Sequence, residues 1–336
     1  MATPLLRRLS PRTLIVGGAV LLVLVLVLLG ALGFAIVRGF HVLTADAPAV
    51  GTVTVAPDQS KARVALATLT MDADATAATE YLATQPTAYW LTPEQDPIGT
   101  AGRTVVSLVA QARDQGRAAA MVVYGLPDRD CGNHSAGGLD GADYPVWVRE
   151  IGDALRAAPD VQKIVVLEPD SIALASECGD IASRAGYLSA AVDALSSTGT
   201  WIYVDGGHSS WHSPDEMAQL IGQMGIIDRV RGVATNVSNY QSTHAEFEYA
   251  HALSSRLGGT HALIDTSRNG TATAGAQWCN PPGQRVGPAG GTYGDDVVDT
   301  NLWIKPPGES DGACNGGPAA GLWWPEAAAE LTRDVR

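Results

Sequence analysis

Short, continuously apolar runs alternate with amphipathic segments along most of this chain, and this pattern limits the fold more than any other feature. The runs "AAAMVVYGL" (118–126) and "KIVVLEPD" (163–170) are typical of strands that are buried on both faces. The segment between them, "YPVWVREIGDALRAA" (144–158), has apolar residues at helical spacing. The alternation therefore predicts parallel strands that are covered by helices.

The same alternation recurs often enough to suggest that the sheet closes on itself. We predict strands over 87–91, 118–126, 163–170, 200–207, 229–236, 261–267 and 299–305. We predict the intervening helices over 75–83, 102–116, 144–158, 181–195, 214–224 and 244–256. This number of units favours a distorted (β/α) barrel of about seven parallel strands over an open α/β sheet.

An uncharged apolar run of 24 residues, 14–37, precedes these units. This length is enough to span a hydrocarbon core of about 30 Å. Since Arg7, Arg8 and Arg12 come before the run, the positive-inside rule places the N-terminus in the cytoplasm. The predicted organisation is a cytoplasmic N-terminus (1–13), a transmembrane signal anchor (14–37), a tether (38–60) and the barrel (61–336).

The N-terminal segment could instead be a cleaved secretion signal, because "ADA" at residues 45–47 resembles a signal-peptidase site. The apolar core of a cleaved signal usually has only about 7–15 residues, which favours the anchor. The predicted location is the cell membrane with the barrel outside the cell. Cleavage would instead make the protein secreted.

Charge and cysteine content exclude several classes of partner. With 35 acidic and 22 basic residues, the chain has a net charge of −13 and would repel nucleic acid. A neutral substrate is expected, with no cofactor. His208 and His212 have i, i+4 spacing, but the Gly, Ser and Pro residues around them argue against a helix, and no metal site is predicted.

The four cysteines lie in no CxxC pair, and the chain is predicted to be exported. Two disulfides are therefore favoured over a zinc site, and three pairings are possible. Pairing of cysteines near each other in sequence is the preferred arrangement, which joins Cys131 to Cys178 and Cys279 to Cys314.

Polar side chains lie at or just after the carboxyl ends of six of the predicted strands. They are Asp130, Asp170, Asp205, Asn236, Asp265 and Asp311. A single aspartate after a strand is usually the N-cap of the next helix. However, the carboxyl ends of barrel strands converge on one face, where active sites lie. Six such residues therefore predict a polar cleft.

The stretch "VVLEPDSIA" (165–173) suggests what this cleft does. On a continuous strand, Glu168 and Asp170 would point the same way, and Asp130 would approach from the neighbouring strand. Burial and mutual repulsion would raise the pKa of at least one carboxyl group, so that it could donate a proton near neutral pH. Paired carboxyl groups of this kind hydrolyse glycosides.

The stretches "VVYGLPDRDCGNHSAGG" (122–138) and "VVLEPDSIA" (165–173) resemble the two signature motifs of glycoside hydrolase family 6, the inverting cellulases. The resemblance covers roughly residues 63 to 332. It continues in order through "YVDGGHSSW" (203–211), "GVATNVSNY" (232–240), "IDTSRNG" (264–270), "QWCN" (277–280) and "LWIKPPGESDG" (302–312).

The resemblance implies a role for each matching residue. Asp170 would be the general acid, and Asp130 would raise the pKa of that acid and steer the attacking water. Tyr124 would lie under the distorted sugar ring, and Asp311 would be the base, acting directly or through water. Substrate contacts are implied for Trp90, Asp205, His208, Trp211, Asn236, Trp278, Lys305 and Glu309. The family's disulfides match the pairing preferred above.

Two loops are shorter than in family members that enclose the active site in a tunnel. Only "GNHSAGGLDGADYP" separates Cys131 from the next helix, and two residues separate Asp311 from Cys314. An open cleft and endo-acting, inverting hydrolysis of β-1,4-glucosidic bonds in cellulose or soluble β-glucan are therefore expected, by a monomer. A processive, cellobiohydrolase-like cellulase and a catalytically silent glycan-binding protein are the alternatives.

Overall fold

A computed structural model describes residues 11–133 and 135–336 of the chain. Seven parallel strands form one sheet, in which each strand pairs with the next one along the sequence. The strands are β1 (Tyr89–Leu91), β2 (Ala119–Val123), β3 (Lys163–Leu167), β4 (Thr200–Asp205), β5 (Gly232–Thr235), β6 (His261–Asp265) and β7 (Val298–Leu302). The predicted parallel α/β architecture is confirmed.

The sheet curls until its two edges approach each other. The Ala88 backbone N–H donates to the Trp303 carbonyl at 2.9 Å, just before β1 and just after β7. Among the described residues, no regular ladder joins these two strands, so the barrel is incompletely closed. The mouth at the carboxyl ends of the strands is the part of the fold that carries the site described below.

Ten helices occur in the described residues. They are α1 (Pro11–Thr44), α2 (Lys61–Thr68), α3 (Ala73–Ala83), α4 (Ala101–Gln115), α5 (Tyr144–Arg156), α6 (Ala175–Cys178), α7 (Ile181–Leu195), α8 (Pro214–Met224), α9 (Thr243–Arg256) and α10 (Pro325–Thr332). All six predicted helices are present. The sequence pattern missed α2, α6 and α10, which are too short to show a clear period.

Alternating side chains of each strand build two separate cores. On β2, Met121 and Val123 pack against the covering helices, whereas Ala120 and Val122 pack inside the barrel. Because both faces are buried, the strands read as continuous apolar runs rather than as alternating ones.

Helix α1 contains the apolar run that is predicted to be a membrane anchor. Side-chain positions are described for residues 20–36 of this helix, and all are exposed. The other side chains of the predicted anchor, and residues 1–10, lie outside the described part. Within what is described, no helix has both the length and the apolar character needed to cross a membrane. The anchor is not confirmed and stays a prediction.

Residues 45–336 form one compact unit. Its first residues, which the sequence analysis assigned to a tether, contact the barrel. Val55 is fully buried, and its backbone N–H donates to the Ala118 carbonyl at 2.9 Å, immediately before β2.

Candidate active site

A cleft of about 430 Å³ lies where the strands of the sheet have their carboxyl ends. Nine of the twelve predicted catalytic and substrate-binding residues line it. They are Trp90, Tyr124, Asp130, Asp170, His208, Trp211, Trp278, Lys305 and Asp311. The other three, Asp205, Asn236 and Glu309, are buried and contact residues near the cleft instead of lining it.

The loops that carry these side chains adopt an unusual backbone conformation. Several non-glycine residues after β2, β3 and β5 have positive φ, in the left-handed region that side chains rarely adopt. They are Asp128, Asp130, Cys131, Glu168, Asp170, Asn236 and Ser238. Such strain costs free energy and is concentrated at functional sites, where surrounding contacts maintain it.

Asp170 lines the cleft next to the fully buried carboxyl group of Asp205. The Asp170 backbone N–H donates to Asp205 Oδ2 at 2.9 Å. Burial, followed by the negative charges of Asp205 and Asp130, raises the pKa of Asp170 well above its usual range. Burial also raises the pKa of Asp205, but hydrogen bonds from the backbone N–H groups of Asp170, Gly207 and Gly206 oppose that rise. Burial and the neighbouring negative charges therefore favour the protonated form of Asp170, which lines the cleft.

Glu168 does not point the same way as Asp170, so the expectation of strand alternation was wrong. Strand β3 ends at Leu167, and Glu168 has a φ of 48°. This turn directs its carboxyl group towards the loop after β2, where it accepts hydrogen bonds from the backbone N–H groups of Gly125 and Leu126 at 3.0 Å. Burial raises the pKa of Glu168 to about 7. Through these hydrogen bonds, Glu168 stabilises the loop that carries Asp130.

Tyr124 and Trp90 form one aromatic wall of the cleft. Their rings meet edge to face with centroids 5.2 Å apart. The Arg129 guanidinium lies 4.5 Å from the Tyr124 ring centre and also binds Glu94 at 2.9 Å. Asp130, two positions after Asp128, accepts a hydrogen bond from the Ser135 backbone N–H at 2.7 Å. Arg129 is therefore a structural support, whereas Asp130 faces the cleft.

Asp311 approaches from the loop after β7 and is bound by several donors. Arg268 Nη1 lies 2.8 Å from both of its oxygens. Tyr240 donates its hydroxyl at 2.9 Å, and the Asn280 backbone N–H donates at 3.1 Å. These contacts hold the carboxylate in one orientation at the edge of the cleft.

Lys305 links this region to the neighbouring acidic residues. Its Nζ binds Glu309 Oε1 at 2.7 Å and lies 3.9 Å from Asp311 Oδ1. The same ammonium group is 5.4 Å from the Trp90 ring centre. Glu309 is thus the partner that orients Lys305.

Three further aromatic side chains shape the opposite part of the cleft. Burial lowers the pKa of His208 to about 4, so its ring is neutral at pH 7. Trp211 lies against His208 and stacks on His212, with ring centres 5.8 Å and 5.5 Å away. Trp278 is 47% exposed, which suits a stacking platform better than a core residue.

Asn236 and Asp265, both predicted from strand ends, hold loops together. Asn236 Nδ2 donates to the Asp265 carbonyl at 2.8 Å, and its Oδ1 accepts from the Gln241 N–H at 2.9 Å. The Asp265 carboxylate accepts backbone N–H groups of Ser238, Ser267, Ile304 and Lys305. Asp265 therefore fixes the start of the Lys305 loop.

Both predicted disulfides are confirmed. Cys131 pairs with Cys178, and Cys279 pairs with Cys314, with Cα atoms 5.8 Å and 6.2 Å apart. The first bond joins the Asp130 loop to helix α6, which follows Asp170. The second joins the Trp278 segment to the Asp311 loop.

The sequence profile of Glycosyl hydrolases family 6 matches residues 50–335, which is most of the chain. This chain belongs to glycosyl hydrolase family 6.

Individual relatives of this family 6 chain agree with that membership. Endoglucanase A of Cellulomonas fimi is 41% identical over 258 residues, which cover 76% of this chain and 56% of the relative. A 1,4-beta-D-glucan cellobiohydrolase of Podospora anserina is 31% identical, over 64% of this chain and 63% of the relative. This chain thus spans little more than half the length of the Cellulomonas protein.

A solved structure extends the agreement to the fold. The endoglucanase Cel6 of Mycobacterium tuberculosis, in complex with methyl-cellobiosyl-4-deoxy-4-thio-β-D-cellobioside, superimposes with a TM-score of 0.75 at 34% identity. The match covers 84% of this chain and 97% of that chain.

Sequence reasoning missed several residues of this family 6 cleft. Arg268, Tyr240 and Asn280 all contact Asp311, although they come from three different loops. Polar residues after β5 and β6, in "NVSNY" and "TSRNG", were a usable signal. The missed residues that line the cleft are Asn133, Ser135, Leu174, Glu177, Ser210, Ser238, Asn239 and Ala276.

Proposed function

We propose that this protein hydrolyses β-1,4-glucosidic bonds within cellulose or soluble β-glucan chains, with inversion at the anomeric carbon. Asp170 is the general acid in this proposal. The observation that carries it is the position of Asp170 in the cleft beside Asp205 and Asp130, whose negative charges, together with burial, favour the protonated form of Asp170. An acid of this kind can protonate the leaving oxygen near neutral pH.

The water must attack from the opposite side of the sugar ring. Inverting enzymes leave room for it by holding acid and base roughly 6.5–9.5 Å apart. Asp130 and Asp311 are the other aspartates that line the cleft, and they come from different loops. We assign water steering to Asp130 and proton acceptance to Asp311, directly or through further water. Tyr124 lies between Trp90 and Arg129, where it would support a distorted ring.

Endo-action is supported by the short loops around Asp311 and by the names of relatives. Only two residues separate Asp311 from the disulfide at Cys314, and Trp278 remains half exposed at the cleft. The Cellulomonas relative is named an endoglucanase. The Podospora relative is named a cellobiohydrolase, so processive cleavage is the second candidate.

A product analysis tests this proposal. We expect the viscosity of carboxymethylcellulose to fall steeply while few reducing ends form, and we expect NMR of cellopentaose hydrolysis to show the α-anomer first. Steady cellobiose release with little loss of viscosity would support the processive candidate. Initial β-anomer would exclude inversion, and glycan binding by wild-type protein without any hydrolysis would show a silent binding protein.

We propose that helix α1 anchors the domain in a membrane and that the catalytic unit acts as a monomer outside the cell. The apolar, exposed side chains of residues 20–36 support the anchor. Membrane fractions washed with alkaline carbonate should retain the full-length protein. A soluble protein whose N-terminus begins near Pro48 would show that the segment is cleaved.

A further inference from the structure

Arg184 is a buried cation beside the cleft that the proposed mechanism does not use. It lies in the first turn of α7 and is only 1% exposed. In the described part of the chain, no carboxylate lies within ion-pairing distance of its guanidinium. Arg268, which is 2% exposed, is paired with Asp311. Because a buried charge without a counter-ion is costly, its other contacts must compensate for the cost.

The contacts of Arg184 reach both of the loops that carry Asp130 and Asp170. Nη1 donates to the carbonyl of Ser171, the residue after Asp170, at 3.2 Å. Nη2 donates to the carbonyl of Asp128, two residues before Asp130, at 3.3 Å. The same Nη2 lies 3.2 Å from Cys178 Sγ in the disulfide that joins these loops. One guanidinium therefore binds the backbone next to both aspartates.

Both loops need such support, since Asp128, Asp130 and Asp170 all have left-handed backbone conformations. A guanidinium is planar and presents its donors in a fixed fork, so two carbonyls bound to it keep a fixed separation. The ammonium group of a lysine is a point charge on a flexible stem and does not impose that separation.

We propose that Arg184 is a positioning residue that sets the separation of Asp130 and Asp170. It touches neither the substrate nor the reacting atoms. This inference rests on the proposed function, in which these two aspartates act on the same glycosidic bond. Misplacement of catalytic groups by about 1 Å can cost on the order of 10²-fold in rate.

The test compares R184K and R184M with the wild type on a soluble cello-oligosaccharide at 20 °C. We expect kcat to fall about 10-fold in R184K and up to about 100-fold in R184M, with KM within about threefold of the wild type. A purely structural role would lower Tm while leaving kcat at 20 °C unchanged. Thermal melts and titration of free thiols check that the fold and the disulfide are intact.

R229M is the matched control. Arg229 contacts Asp193, which lies on α7 as Arg184 does, at 3.0 Å. Arg229 itself lies on the surface, so its loss should leave kcat unchanged. Wild-type kcat in a folded R184K would overturn the proposal, and this variant decides the matter if R184M does not fold. An inactive wild type would instead reject the proposed function, and this inference with it.

Discussion

Carboxyl groups lie at both ends of the barrel, but Asp299 at the amino end is surrounded by positive and hydrogen-bond-donating groups, whereas Asp170 at the carboxyl end lies beside other carboxyl groups. At the amino end, Asp299 of β7 accepts Arg231 Nε and Nη2 at 2.9 and 2.8 Å and the Tyr203 hydroxyl at 2.5 Å. His261 Nδ1 lies 3.0 Å away. At the carboxyl end, Asp170 faces Asp205 and Asp130, and burial and these neighbours raise its pKa.

This difference separates stability from function. A buried carboxylate with a bidentate guanidinium partner and a hydroxyl donor is satisfied, and it holds β4, β5 and β7 together. Crowded carboxyl groups on strained loops destabilise the fold, but in the proposed mechanism they supply a proton donor that a satisfied ion pair does not. Active sites commonly carry such a cost in stability.

The largest expected effect is on activity, at the carboxyl end. D170N should lower kcat on carboxymethylcellulose about 10³-fold, because the proton donor is lost. The variant should be at least as stable as the wild type, since folding no longer has to protonate a carboxyl group that is ionised in the unfolded chain near neutral pH. Reducing-end assays and thermal melts measure the two quantities. Near-normal turnover would remove Asp170 from the role of acid.

The second-largest expected effect is on the stability of the fold, through Asp299 at the amino end of the barrel. D299N should lower the free energy of unfolding by about 3 kcal/mol, because Arg231 loses its counter-ion and the buried Tyr203 hydroxyl loses a charged acceptor. Urea denaturation measures this change, and kcat of the remaining folded protein should be unaffected. Unchanged stability would show that the contacts of Asp299 with Arg231 and Tyr203 do not stabilise the fold.

Glu168 should make the fold less stable as pH rises. Its pKa is about 7 in the folded protein against an ordinary value of 4.5, so the folded state binds its proton more tightly than the unfolded state does. The stability from this group is complete below about pH 4.5 and is lost as pH rises through 7, by about 3 kcal/mol in all. E168Q should flatten urea-derived stability over this range.

The exposed Glu80 provides the control, because E80Q removes a carboxylate that is not buried. The quantity to compare is the slope of stability against pH, since E168Q also loses a hydrogen bond to the Gly125–Leu126 backbone. Equal slopes in E168Q and the wild type would contradict the assignment.

The smallest expected effect is on binding. W278A should weaken binding of cello-oligosaccharides by about 1–2 kcal/mol, because an apolar platform is lost, and should leave Tm almost unchanged because the ring is half exposed. Calorimetric titration into the inactive D170N background measures it. W201A, beside Arg231 at the amino end, should lower Tm instead and leave affinity unchanged.

Much of the fold was predictable because its signals are local. The helices Ile181–Leu195 and Pro214–Met224 have the bounds that their apolar spacing predicted. The strands were recognised as buried runs, although all but the first end one to three residues earlier at the carboxyl side, as at Val123 and Leu167. Runs of apolar residues do not show where a backbone turns into the left-handed region.

The sequence by itself determined the parallel strand–helix order and the aspartates at the strand ends, and it made the observed cysteine pairing the preferred one of three. Only the tertiary structure decided what those aspartates contact. It placed Asp170 next to Asp205, turned Glu168 away from the cleft and brought Arg268 to Asp311. The physical reason is that periodicity and turn chemistry act between neighbours in the chain. Charge pairing and burial depend on residues that come together only when the barrel curls.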